Sequence, residues 1–573
     1  MGTLTRGDML DADLIWVLAL TVRGTTYYLS TESDNIAGDG PGVILGGLAP
    51  VDVVIESSPT DRGIAESEVQ VSILWTVTAR NSGESWASSQ ALGWDIGDTT
   101  GELSLYRRGS AWASRQVVIE GQAIEPQYGS RDEPVEMTIA RDTADDTSRL
   151  ISSTMVLDRE TFPGPPGSGT ETCPEESFGF SYPFVIGYPG HREVGDPDAP
   201  AVPAPISEIS IVTFDNRSVI AKALLSYGHC GTPSEVSSGL VQMYIMNKRD
   251  PSAAVPPAYL QNVGVSHTYD AFGVPVTLAD IPVRTSGNPF FSSDDEVYAG
   301  WQTVGGILVN GDVLQYAGDV VAYLLGRSTM RTAPVRQSVV DKLNNFKLAG
   351  YINAETSMWD ILQADILPIL PVSCVPGPFG WALVWWDLDA TAADALEHID
   401  TTTMRAQRKG MVRYSNVRQV ANKITVQYRV RADSGQSAKS VTLAPQQWLD
   451  SGGVSTSTAL VYSHPLATAS ATRYGVRDGT AVQSPMLWDD ATAVAVASWL
   501  LRRECGTRRT VAYLCPQHLQ YLRPGDVVTI TDADIGFSAE VCHVTSVQMG
   551  PGDVVIEFET LPDIIRTAPQ RVT

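Results

Sequence analysis

Apolar stretches in this chain are short, and turn residues cut them off almost everywhere. Through the first 160 residues they recur at Leu14 to Val22, Val51 to Ile55, Val69 to Val77, Leu103 to Leu105, Ala111 to Ile119 and Val135 to Ile139. Gly38 to Gly42 and Asp95-Ile96-Gly97-Asp98 punctuate them. Runs of this length, bounded by Gly, Pro and Asp, suit strands and leave no room for long helices. The 49 Gly and 35 Pro among 573 residues extend that pattern along the chain. The expected fold is mainly β with α+β portions, in several domains.

The period changes twice. Val313, Tyr316, Ala317, Val320, Val321 and Leu324 share one face of a helix ending at Gly326, and Val335 to Leu348 and Ser357 to Ile369 are further helix candidates. A last helix follows Asp489 or Asp490 as cap, with Ala493, Val496, Ala497, Leu500 and Leu501 as its apolar stripe. Between Phe162 and Pro205 a Pro/Gly/acid-rich segment reads as a linker or arm, although Phe180, Tyr182, Phe184 and Val185 give part of it an apolar surface that should dock. These shifts divide the chain into a β domain (1–160), the arm (161–205), a second β domain (206–310), an α/β domain (311–415) and a C-terminal barrel with one helix (416–573).

The net charge of −25 argues against adhesion to nucleic acid or anionic membranes. The apolar windows fall short of a bilayer span, and no secretion signal is expected from Met1 to Asp13. The six cysteines, Cys173, Cys230, Cys374, Cys505, Cys515 and Cys542, lack CxxC spacing and read as buried thiols, so neither metal nor other cofactor is expected. His229-Cys230 pairs a thiol with a base, but neighbours on a strand face opposite ways. The acidic clusters Asp95/Asp98/Glu102 and Asp294/Asp295/Glu296 read as solvated loops, and Asp532 to Gly536 opens like a calcium loop but has His543 at its twelfth position. With no common catalytic motif present, no enzyme is expected.

One run breaks the acidic trend. Arg405, Arg408, Lys409, Arg413, Arg418, Lys423, Arg429 and Arg431 follow one another with no acidic residue between Asp400 and Asp433. Acidic surface on an adjacent domain or subunit is the expected partner, ahead of solvent or nucleic acid.

The succession Leu500-Leu501-Arg502-Arg503-Glu504, Val511-Ala512-Tyr513-Leu514, Leu522-Arg523-Pro524-Gly525-Asp526-Val527-Val528 and Phe537 to Val547, with Asn422 to Val426 upstream, resembles the closing barrel of bacteriophage tail hub proteins. Asn310 to Ile369 resembles the α/β domain that precedes it there. The resemblance implies tail-tube-like small β-barrels and a homotrimeric ring at the tail tip, assembled in the host cytoplasm. Its implied neighbours are a distal tail protein, a tail spike or central fibre protein and the tape measure protein, with DNA only in transit through the channel. A carbohydrate-binding or carbohydrate-active β protein is the other reading that the 13 Trp and acidic loops suggest.

Overall fold

The computed structural model describes most of residues 14–567. Outside the description lie 1–13, 57–67, 74–98, 129–134, 141–155, 164–177, 190–203, 248–260, 283–294, 328–336, 431–434, 550–552 and 568–573, with shorter gaps elsewhere.

Eight of the first nine strands form one sheet, in which Leu14–Val22 lies at the centre between Thr25–Ser30 and Thr100–Arg107. Val17, Leu18 and Leu20 of this strand are fully buried. The sheet curls back on itself, because Leu48 bridges to Ile73 on the far strand Glu68–Ile73 and the Ala49 amide donates to the Ser72 carbonyl at 2.8 Å. Curling satisfies backbone groups that an open edge would leave bare.

A second eight-stranded sheet runs in the order Glu397–Asp400, Val527–Asp532, Phe537–Met549, Asp553–Thr560, Arg509–Pro516, Gln407–Arg408. Arg413–Tyr414 also pairs with Arg509–Pro516. The eighth strand comes from the other end of the chain: Val53–Glu56 pairs with Ser546 to Met549. The two sheets share one core, in which Leu18, Leu20 and Ile139 of the first meet Tyr513, Val547 and Phe558 of the second. The border expected at 415/416 therefore cuts through a sheet that takes strands from both sides of it.

The stretch 416–573 differs from one barrel with one helix. Ile424–Val430 and Ser437–Ala444 belong to a separate four-stranded sheet, and Asp490–Glu504 packs on that sheet. Helices Gln446–Asp450, Pro465–Tyr474 and Asp563–Thr567 accompany it. The stripe Ala493, Val496, Ala497, Leu500 and Leu501 is buried in a central cluster with Val426, Tyr428 and Val441. Asp489 caps this helix, accepting from the Thr492 amide at 2.8 Å.

The same central cluster takes in the helical region. Ala317–Arg327 is the helix of the first apolar stripe, starting later than expected because Asp312–Val313 forms a two-residue strand with Leu308–Val309. The second helix candidate is shorter than expected, Gln337–Leu343. The run expected as one helix from Ser357 is three short pieces, α (Met358–Ile361), π (Leu362–Ile366) and 3-10 (Leu367–Ile369). Pro368 accounts for the tight last turn, since it lacks an amide hydrogen and crowds the preceding turn. From the Pro/Gly-rich arm, Phe184–Ile186 docks as a fully buried strand against Gly350–Ile352. Two four-stranded sheets fill the middle of the chain, one of them ordered Ser207–Asp215, Ser218–Tyr227, Pro275–Pro282, Val265–Tyr269.

Candidate assembly surface

The second sheet owes its shape to the Pro524-Gly525-Asp526 turn. Gly525 has φ of +87°, and a Cβ there would overlap the Val384 side chain. The Asp526 carboxylate accepts from the Arg523 amide at 2.7 Å, while the Gly525 amide donates to Val544 and the Val544 amide to Asp526. The turn thus starts one strand while already bonded to the next. At its other end, Asp532 caps the 3-10 turn Ala533–Ile535, and Gly536 in the left-handed region closes it, so the calcium-like run is a strand connection.

The two outer strands of this sheet are neighbours in the chain. Glu397–Asp400 lies at one edge, parallel to Val527–Asp532, and Gln407–Arg408 with Arg413–Tyr414 at the other. Gly410, at φ +89°, turns the chain between the two short basic strands. Met411 follows it and is 89% exposed; Tyr414 is 68% exposed, and Val417 is exposed too. Two-residue strands offer little pairing, which fits an edge kept from adding further strands at random.

The basic run divides by environment. Arg408 donates to Asp532 at 3.3 Å, and Asp532 also accepts from the buried Tyr513 hydroxyl at 2.7 Å. Arg413, mostly exposed, is 3.4 Å from Glu557. Lys423 pairs with Asp478 at 2.9 Å and lies over the Trp448 ring. Lys409 and Arg418 are exposed, and neither makes an ion pair among the described residues. Arg429 is 3% exposed, with its Nε donating to the Trp488 carbonyl and Nη2 to Asp490. Lys439 and the Tyr428 hydroxyl bind the same carboxylate, so this cation is spent inside the chain. Arg405 and Arg431 lie outside the described residues.

Beside the acidic edge is an open hollow of about 470 Å³ lined by Ala392, Ala395, Leu396 and Met404 together with Glu397 and His398. Leu396 is 56% exposed. A Thr391–Asp394 capping box precedes it, whose bonds from the Thr391 amide and hydroxyl hold the exposed Asp394 carboxyl below its usual range. Glu397 accepts from the Tyr521 hydroxyl, and His398 bonds Thr529 at 2.9 Å. Sequence reading missed Leu396, Met411 and Tyr414. The interleaving of Met and Tyr with cations was the available signal, but exposure of single apolar residues is not legible without the fold.

The other candidate groups stay apart. Burial pushes the Cys230 thiol up to about 12, and His229 stacks on His267 at 4.5 Å with the His267 Nε2 against the Cys230 carbonyl, not the thiol. Cys505 lies in the central cluster, whereas Cys515 and Cys542 lie in the core shared by the two large sheets. Among the described residues no group of three His, Cys, Asp or Glu is placed to hold a metal, and no helix is long and apolar enough to cross a membrane. Glu102 binds Arg115 at 2.9 Å; Asp95, Asp98 and Asp294 lie outside the described residues, and Asp295 and Glu296 are in the strand Asp295–Gly300.

Residues 389–545, which run from the acidic edge through the whole basic stretch into the strand Phe537–Met549, match the model of a family described as putative phage tail protein. This segment is similar to a phage tail protein family. The basic edge, the Pro-Gly-Asp turn and the hollow thus all lie within the matched segment. Among solved structures the chain is similar to the tail protein from Neisseria meningitidis MC58 (8% identity, 96% of this chain and 97% of that one, TM-score 0.34). It is also similar to the 43 kDa tail protein of prophage MuSo2 from Shewanella oneidensis (11%, 96% and 99%, TM-score 0.33) and to a chain of a native gene transfer agent virion (12%, 75% and 94%, TM-score 0.36). TM-scores of this size leave the folds unsuperposed. No curated protein matches the chain.

Proposed function

We propose that this chain is a structural hub of a phage tail tip, three copies forming a ring that joins the tail tube or distal tail ring to a spike or central fibre. The observation that carries the reading is the match of residues 389–545 to the tail-protein model, a segment that supplies both outer strands of one sheet, Glu397–Asp400 and the basic pair Gln407–Arg408 and Arg413–Tyr414. A second curled sheet fused to it through one core supports a rigid wall element in place of two swinging domains. The charge of −25 suits the border of a channel through which DNA slides, because cationic walls would bind phosphates and slow passage. In this reading the chain binds a distal tail protein, a spike or fibre protein and the tape measure protein, and performs no catalysis.

Gold-labelled antibody against the chain, applied to purified particles, should decorate the end of the tail distal to the head. A class average down the tail axis at that position should show three-fold symmetry. Label on the head or along the shaft would overturn the reading.

A further inference from the structure

We propose that Met411, with the cations around it, docks into the open hollow beside Leu396, in the acidic segment 387–400, on a second copy of this chain. The inference rests on the ring reading above and supplies its subunit contact.

The two segments are opposite in charge. Residues 405–418 contain Arg405, Arg408, Lys409, Arg413 and Arg418 with no acid, and residues 387–400 contain Asp387, Asp389, Asp394, Glu397 and Asp400 with no Lys or Arg. Within one copy, Asp532 and Glu557 engage two of these cations, and Lys342 and Arg502 engage Asp387 and Asp389. Lys409 and Arg418 on one side and Asp394 on the other make no such ion pair among the described residues. Met411 projects at 89% exposure from the turn at Gly410, a knob with cations on both flanks. The hollow is lined by Leu396, Ala392, Ala395 and Met404 alongside Glu397, His398 and Thr529, so it offers apolar contact among polar groups. An apolar anchor ringed by complementary charge is the usual anatomy of a specific contact.

A second copy is the occupant that the charges favour. Copies carrying −25 each repel at a distance, so approach needs a local patch of opposite sign, and this chain supplies both patches. Knob and hollow are different surfaces, so each copy can hold one neighbour with the knob and another with the hollow. Contacts of that head-to-tail kind close into a ring when the rotation between neighbours is a whole fraction of a turn, as the three-fold reading requires.

Disulfide trapping tests this on the full chain. Cys173→Ser is placed in every variant, because the five other cysteines are buried. A chain with Met411→Cys is mixed with a chain with Leu396→Cys and oxidised. The expected product is a disulfide-linked pair that forms in the mixture and not with either variant alone. Adding Lys409→Glu and Arg418→Glu to the first chain should cut its yield at least tenfold, with an unchanged melting temperature showing that the fold is intact. No pair above the single-variant background, or a pair formed by Met411→Cys alone, overturns the proposal. A Met411→Cys chain that links only to a different virion protein in assembled particles overturns the second-copy assignment and leaves the tail-tip reading standing. Gold label away from the tail end overturns that reading instead, and the trapping result is then scored by itself.

Discussion

The Arg429 guanidinium, at 3% exposure, lies 3.1 Å from the Asp490 carboxylate, which also holds Lys439 at 3.3 Å and the Tyr428 hydroxyl at 2.8 Å. Arg429 sits there with φ of +56°, a backbone conformation that a non-glycine residue keeps only when its surroundings hold it. Asp490 is thus the anchor between the four-stranded sheet and the helix that packs on it. Asp490→Ala removes a carboxylate shared by two buried cations and should destabilise by about 3 kcal/mol. Asp489→Ala removes the helix cap and should cost about 1 kcal/mol. Denaturant midpoints of the two variants check the order, and a larger loss for Asp489→Ala would show that the network matters less than the cap.

Gly525→Ala should destabilise by roughly 1–3 kcal/mol, through the strained left-handed backbone and the overlap with Val384. Gly536→Ala has the same sign of φ but nothing within contact of an added Cβ. It should cost less than Gly525→Ala. Thermal unfolding of the pair separates conformation from crowding.

His543 is buried, its Nε2 has no partner among the described residues, and its ring meets Trp386 edge to face. Desolvation pushes its pKa from 6.5 down to about 4. The unfolded chain therefore binds a proton that the folded chain refuses between those values. Stability from this group is full above pH 6.5, falls as pH drops toward 4 and levels off below it. The loss is about 3 kcal/mol. In His543→Gln the fall in denaturation midpoint between pH 7 and pH 4.5 should be smaller than in the unaltered chain; equal falls would place the acid sensitivity elsewhere.

Cys230, Cys374, Cys505, Cys515 and Cys542 are all buried thiols outside any disulfide, and Cys230 and Cys505 are held near 12 by burial. A small alkylating reagent at pH 8 should leave these five unmodified in the native chain and label them in denaturant. Peptide mass spectrometry reads this site by site. Rapid native labelling of any of the five would contradict the core described here.

What the amino-acid order determined by itself was local. A 3.6 period needs only neighbours, so the stripe from Ala493 to Leu501 was legible as a helix with Asp489 as one of two possible caps. Pro524-Gly525-Asp526 was legible as a turn, because Gly at positive φ and a self-bonding Asp act within a few residues. The aromatic run in the Pro/Gly-rich arm announced a docked piece, and Phe184–Ile186 is that piece. The tertiary structure alone decided who pairs with whom. Nothing near Val53–Glu56 announces that its partner is Ser546 to Met549 at the far end of the chain, since strand pairing depends on which edges folding brings together. The same holds for charge: Arg413 and Arg429 belong to one basic run in sequence, yet one is exposed beside Glu557 and the other is buried on Asp490. Carboxylates that select a cation's environment come from strands and helices distant in sequence, and a one-dimensional pattern carries no record of that distance.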